Sequence, residues 1–181
     1  MKNFIYILFL FTGFAFAQGK YLTKTGNVQF EASVPSFEEV AAESKSVTAI
    51  LDTSNGELAA LVFVKGFRFK NALMEEHFNE NYAETDKYPK ATFRGKIQGF
   101  DLRDLSEIDK TYFLDGVIDF HGVSKSLNDI EINLKRDGES IHFKSELILL
   151  PSDFDIKIPK IVRNKVAEDV NVNMQFDLVM K

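Results

Sequence analysis

The sequence predicts an all-β fold, an antiparallel barrel of about eight strands with one inserted amphipathic helix. Three observations carry this expectation. Apolar residues recur with period two in one segment after another, the pattern of a strand with one dry face. Asn55-Gly56 and Asp137-Gly138 punctuate the strands with residues that tolerate positive φ, as tight hairpins require. Between Asn71 and Tyr82 the period lengthens, with Met74, Phe78 and Tyr82 recurring every four residues.

Taken in order, Val28, Phe30, Ala32 and Val34 alternate with polar residues and end at Pro35. Phe37 to Ser44 is acidic and reads as a short helix or a loop. Val47, Ala49 and Leu51 begin a second strand that stops at Asn55-Gly56. "LAALVFVKGFRF" returns with Leu61, Phe63, Phe67 and Phe69 on one face, and Gly66 marks a bulge or close packing. The helix follows, capped by Asn71 with Glu75 and Glu76 in its first turns, and those paired carboxylates read as an ordinary solvated face. Ala91, Phe93 and Ile97 resume the strand pattern. Tyr112, Leu114, Ile118 and Phe120 continue it, then Ile130, Ile132 and Leu134. Ile141, Phe143, Leu147 and Leu149 return from Asp137-Gly138. "IPKIVRNKVAED" is a connection with room for a helical turn. "NVNMQFDLVM" closes the chain with Val172, Met174, Phe176 and Leu178 on the dry face. Period two suits both a sandwich and a barrel, but long strands and a single covering helix favour a barrel, which has no exposed edge.

The first seventeen residues read as a leader. Lys2 is followed by an apolar run from Phe4 to Phe11, and Ala15-Phe16-Ala17 offers a cleavage pattern before Gln18. The expected domains are therefore a signal peptide over 1–17 and a barrel domain over 18–181. The run is short for a membrane span, so no stable span is expected after cleavage. Removing Lys2 takes the net charge from −5 to −6. The acidic balance, with no basic block of five or more residues, argues against nucleic acid or a polybasic membrane surface as partner. The chain has no Cys, so an exported domain would owe its stability to its core and its backbone ladder.

Enzyme signatures are weak. The absence of Cys excludes thiol catalysis and thiolate metal sites. His77, His121 and His142 have no paired ligand spacing, and His121 and His142 fall on polar parities. Ser124 has no evident base. No catalytic residue, metal or cofactor is expected. The 18 Phe are the compositional signal. They suit a solid core and a greasy ligand alike, and a hydrocarbon guest would gain about 0.8 kcal/mol per buried CH₂.

Four stretches carry a family resemblance. "FRFKNALMEEHFNENYAETDKYPKATFRGKI", through Met74, Phe78, Tyr88, Pro89 and Phe93, resembles the helix and "Y-P-x-x-x-F" strand of YceI-like domain proteins. "LDGVIDFHGVSKSL" resembles their "G-x-L-T-I-H-G-V-T-K-P-V" strand and turn through Gly116, Ile118, Gly122, Val123, Ser124 and Lys125. "LPSDFDIKIP" and "VAEDVNVNMQFDL" resemble the terminal "S-D-F-G-I" segment and its closing strand. Ser126 stands where Pro is usual, Leu150-Pro151 where a basic residue is common, and Asp155 where Gly is usual. The resemblance implies a lipocalin-like barrel, exported to the periplasm or secreted, that holds a polyisoprenoid or other long-chain lipid and is not an enzyme.

The expected pore lining is Phe30, Phe63, Phe67, Phe78, Phe93, Leu114, Ile118, Phe143, Val172, Met174 and Phe176. Arg68, Arg94 and Lys125 are the headgroup candidates. The alternative is a filled barrel acting as a secreted interaction or stress-response module without lipid, and a homodimer is left open.

Overall fold

The computed structural model describes residues 19–181, so the expected leader over residues 1–17 lies outside the described residues. The strands are β1 (Lys20–Ser33), β2 (Ala41–Asp52), β3 (Glu57–Phe63), the two-residue β4 (Arg68–Phe69), β5 (Lys90–Ile97), β6 (Lys110–Phe120), β7 (Val123–Asp137), β8 (Ser140–Leu149) and β9 (Val166–Met180). Every pairing is antiparallel. The order β1-β9-β8-β7-β6-β5-β3-β2 returns to β1 through a direct β1–β2 pairing, so eight strands close a ring, and β4 is an appendage of β2.

The antiparallel order sorts the connections to two ends. At the bottom lie the two expected hairpins, with Gly56 at φ 77° and Gly138 at φ 57°, and the β5–β6 loop. That loop tucks Leu105 and Phe100 under the barrel, with Phe100 6.1 Å from Tyr112. At the top lie the β1–β2 turn, the helical insertion between β3 and β5, the β6–β7 turn and the β8–β9 connection.

Several boundaries differ from expectation. Phe37 to Ser44 is a turn followed by β2, and β1 begins at Lys20, well before Val28. The strand read through Gly66 breaks after Phe63 into a 3-10 turn, Val64–Gly66. That turn breaks the alternation, so Leu58, Ala60 and Val62 point inward below it while Phe67 is buried above it. The helix α1 (Ala72–His77) opens as expected, with Asn71 Oδ1 accepting from Leu73 N at 2.9 Å and Met74 N at 3.4 Å. It widens into a π turn from Phe78 to Tyr82. The β8–β9 connection holds a 3-10 turn, Pro151–Phe154, and further turns before β9 starts at Val166.

A change of parity divides the barrel in two. On β1, Tyr21 and Thr23 are buried, then the register shifts around Gly26 and the inward set becomes Val28, Phe30 and Ala32. On β2, Ala42 and Ser44 give way to Val47, Ala49 and Leu51 across the same irregularity. A bulge turns over the alternation because the side-chain period is two. β7 does likewise near Asp129, at φ 53°, passing from Leu127 to Ile130, Ile132 and Leu134. Below this level the interior is solid, packed by Tyr21, Leu51, Ile97, Leu114, Ile132, Leu134, Ile141 and Leu178. The top of that core is a stacked pair, Phe143 and Phe176, with centroids 5.1 Å apart and planes 14° from parallel.

Gly26 faces this pair. A Cβ there would meet Phe176 Cδ1 at 2.6 Å and Val47 O at 3.1 Å. Gly26→Ala is therefore expected to destabilise the fold by about 1–3 kcal/mol through overpacking, read as a lower urea midpoint at unchanged slope.

Candidate functional site

Above the Phe143–Phe176 pair the interior opens into a cavity of about 520 Å³. Its floor is Phe176 with Val47, and its walls carry Val28, Phe30, Ala60, Phe93, Ile118, Leu127, Leu147, Val172 and Met174. Phe93 leans over a glycine pair, Gly95 opposite Gly116, where a Cβ on Gly116 would lie 2.4 Å from Phe93 Cζ. Missing side chains on both glycines make the room that this ring fills.

Two flaps cover the upper part. One is the helical insertion, closed at its base by Val64 N donating to Pro89 O at 3.0 Å. It presents Met74, Phe78 and Tyr82 to the cavity. Phe78 meets Phe30 at 5.3 Å and Phe69 at 5.2 Å, and Phe30 meets Phe67 at 5.2 Å, so four rings from three elements form one wall. Glu75 fastens this flap, accepting from Phe69 N at 3.1 Å and Arg68 Nη1 at 2.8 Å. It is thus a structural anchor and not the solvated carboxylate expected. The second flap is the β8–β9 connection, which contributes Phe154, Ile156, Ile158, Val162 and Lys165.

Phe30, Phe67, Phe78, Phe93, Ile118, Val172, Met174 and Phe176 all border the cavity. Three other expected residues do not. Phe63 is 52% exposed on the outer face, because "LAALVFV" is apolar on both parities and the turn after it breaks the alternation. Leu114 and Phe143 point inward but lie in the solid half. The headgroup candidates are likewise dispersed. Arg94 is exposed on the outer side of β5, and Arg68 is exposed and tied to Glu75. Lys125 stands opposite Ile118 on the inward parity, where it is ion-paired with Asp153.

Among the described residues no group with clearly displaced titration borders the cavity. Asp101 is held down at about 2 by hydrogen bonds from the Arg103 side chain and backbone, in the bottom loop. Among the described residues no group of three or more His, Asp or Glu could hold a metal ion, and no helix is long and apolar enough to cross a membrane.

The family model of the YceI-like domain matches residues 16–178. The chain belongs to the YceI-like domain family. A polyisoprenoid binding domain from Saccharophagus degradans, implicated in plant cell wall breakdown, superposes with a TM-score of 0.77 at 17% identity, covering 91% of this chain and 99% of that one. BcnA of Burkholderia cenocepacia gives 0.67 at 16% identity, covering 86% and 96%. A YCEI protein of Campylobacter jejuni gives 0.62 at 18%, covering 82% and 89%. No curated protein matches the chain.

In this YceI-like domain the motif residues converge at the mouth of the cavity. His121 and Gly122, at φ 52° and 78°, form the two-residue β6–β7 turn, which needs positive φ at both positions. Tyr88 packs against it, 4.6 Å from the His121 ring, and a Cβ on Gly122 would meet Tyr88 Cε1 at 2.6 Å. His121 Nδ1 lies 2.8 Å from Phe154 O, and its Nε2 lies 2.9 Å from Glu84 Oε2. One imidazole thus joins both flaps. It is largely buried, and not the free polar-face residue expected. His142 is also engaged, 2.6 Å from Asp177 Oδ1. Asp155 has φ 58°, a left-handed conformation that explains why Gly suits that motif position.

Sequence reasoning missed the second flap. Ile156, Ile158 and Val162 form no sustained strand or helix period, so only their apolar character hinted at a wall, and nothing singled out Lys165. For the first flap, Glu75→Ala should cost about 1–3 kcal/mol, because it leaves Phe69 N without its acceptor and frees Arg68. Hydrogen exchange should show the Phe69 amide losing protection while strands β6–β9 keep theirs.

Proposed function

We propose that this YceI-like domain is an exported lipid-binding protein that holds or carries a long-chain, isoprenoid-type lipid in the upper half of its barrel, and that it is not an enzyme. The observation that carries the reading is an apolar, Phe-lined cavity of about 520 Å³ with a solid floor and a mouth under two flaps. A hydrocarbon guest would gain about 0.8 kcal/mol for each CH₂ taken from water, so the walls need few polar groups. The fold shared with a polyisoprenoid binding domain supports the same reading. The leader read over residues 1–17, followed by the domain over 18–181, supports a periplasmic or secreted location.

The two halves of the barrel supply a paired test. Val172 points into the cavity from β9, so Val172→Trp fills space that is otherwise available to a guest. Native mass spectrometry should find lipid on the purified wild type and little on this variant, with the melting temperature kept. Leu134 is 0% exposed in the solid half. Leu134→Ala should cost about 2–5 kcal/mol and leave lipid content per folded molecule unchanged. A wild type that neither co-purifies with lipid nor takes up an added prenyl alcohol would overturn the reading.

A further inference from the structure

We propose that the guest is an amphiphile with an anionic head, and that Lys165 holds that head at the mouth while the tail runs down toward Phe176. This inference rests on the lipid-binding reading and deepens it.

Lys165 is the one lysine or arginine among the described side chains that border the cavity. It lies at the end of the second flap, directly before β9, with its side chain exposed. The net charge of −5 hides the local balance there. Between Asp155 and the Glu168-Asp169 pair the chain carries Lys157, Lys160, Arg163 and Lys165 and no Asp or Glu. Among the described residues none of these four takes part in an ion pair. Of the other cations of the upper end, Lys65 is paired with Asp86, Arg68 with Glu75, Lys70 with Glu39 and Lys125 with Asp153, while Lys87 and Lys90 lie over the Tyr88 and Phe63 rings, and none of them borders the cavity. A cation already paired offers little to an incoming anion, whereas an unpaired one loses only water. The carboxylate that borders the cavity, Glu38, accepts from Asn71 Nδ2 at 2.7 Å and so has a partner of its own.

The apolar wall continues from Lys165 into the barrel through Val166, Val170, Val172, Met174 and Phe176, all bordering the cavity from one strand. The exposed Glu168 and Asp169 lie between Val166 and Val170, and a head held at Lys165 would lay its tail beyond them along Val170, Val172, Met174 and Phe176. A carboxylate or a phosphate monoester fits this chemistry. Because the lysine is exposed, the discrimination it supplies is modest, about fivefold.

The test compares two probes that share a prenyl chain of about 20 carbons, the phosphate monoester and the free alcohol, titrated calorimetrically into the purified protein. The wild type should bind the monoester about fivefold more tightly, with the gap closing at high salt. Lys165→Gln should bring the ratio close to one, and Lys165→Glu should invert it. Lys70→Gln, which alters a paired lysine that does not border the cavity, should keep the wild-type ratio. Equal affinity for both probes in the wild type, or a ratio that survives in Lys165→Gln, would overturn the headgroup assignment while leaving the cavity reading intact. Binding of neither probe would overturn both.

Discussion

Closure of the sheet through the β1–β2 pairing is the constraint on which the rest of the molecule depends. An open sheet can fold its apolar face onto a neighbouring layer until nothing is left empty. A closed ring of about eight strands encloses a fixed volume, wide enough for side chains to fill or for one small ligand to enter. Which outcome prevails is decided level by level, by the size of the side chains that point inward. This barrel takes both outcomes. Large aliphatic and aromatic residues fill the bottom, while at the top Ala32, Val28, Ala60 and Ala91 point into the same ring. The boundary is set by backbone irregularities, because the bulges around Gly26 and near Asp129 reset which parity faces inward.

A cavity of this kind carries a cost that the solid half offsets. Side chains beside empty space lose dispersion contacts on that side, yet an apolar void gives water no partners and stays dry. The Phe143–Phe176 pair, stacked side by side on the adjacent strands β8 and β9, is the last fully buried level of the core. Above it the Phe30, Phe67, Phe69 and Phe78 rings meet edge to face or tilted, at 5.2–6.3 Å, along one wall. They secure one another without crossing the space. Phenylalanine thus serves as filler below and as lining above, which is why its abundance alone did not discriminate between a core and a pore.

Much of the fold was legible because period two is a local signal. Val172, Met174 and Phe176 on β9, and Ile118 on β6, were placed by alternation alone and stand at the cavity. Leu114 and Phe143 share that alternation and lie in the core, since parity tells inward from outward and says nothing of height along the barrel. Phe63 failed for a different reason. Its strand is apolar on both faces, so its phase was borrowed from Phe67 and Phe69, across a 3-10 turn that breaks the phase. The second flap was the least legible part. Its lining residues are set by tertiary contacts such as His121 with Phe154 O, for which a linear pattern holds no trace.

The residues through which the chain resembles its family fall into two groups: Met74, Phe78, Phe93 and Ile118 line the cavity, and others form the frame of its mouth. Tyr88, His121, Gly122, Asp153 and Phe154 come from three distant stretches and meet at one corner, where a positive-φ turn, a ring packed on a glycine and a buried imidazole fix the two flaps against each other. Such a corner demands particular residue types: glycine for the turn and for close approach, and a ring with two polar nitrogens to reach both flaps. The pore wall makes no comparable demand, since any apolar side chain of suitable volume keeps the space dry. A motif can therefore specify that a covered mouth exists without specifying what passes through it. On the lipid-binding reading proposed above, the character of the guest depends on features outside the quoted motifs, namely the volume left by Ala60 and the charge of Lys165 directly before β9.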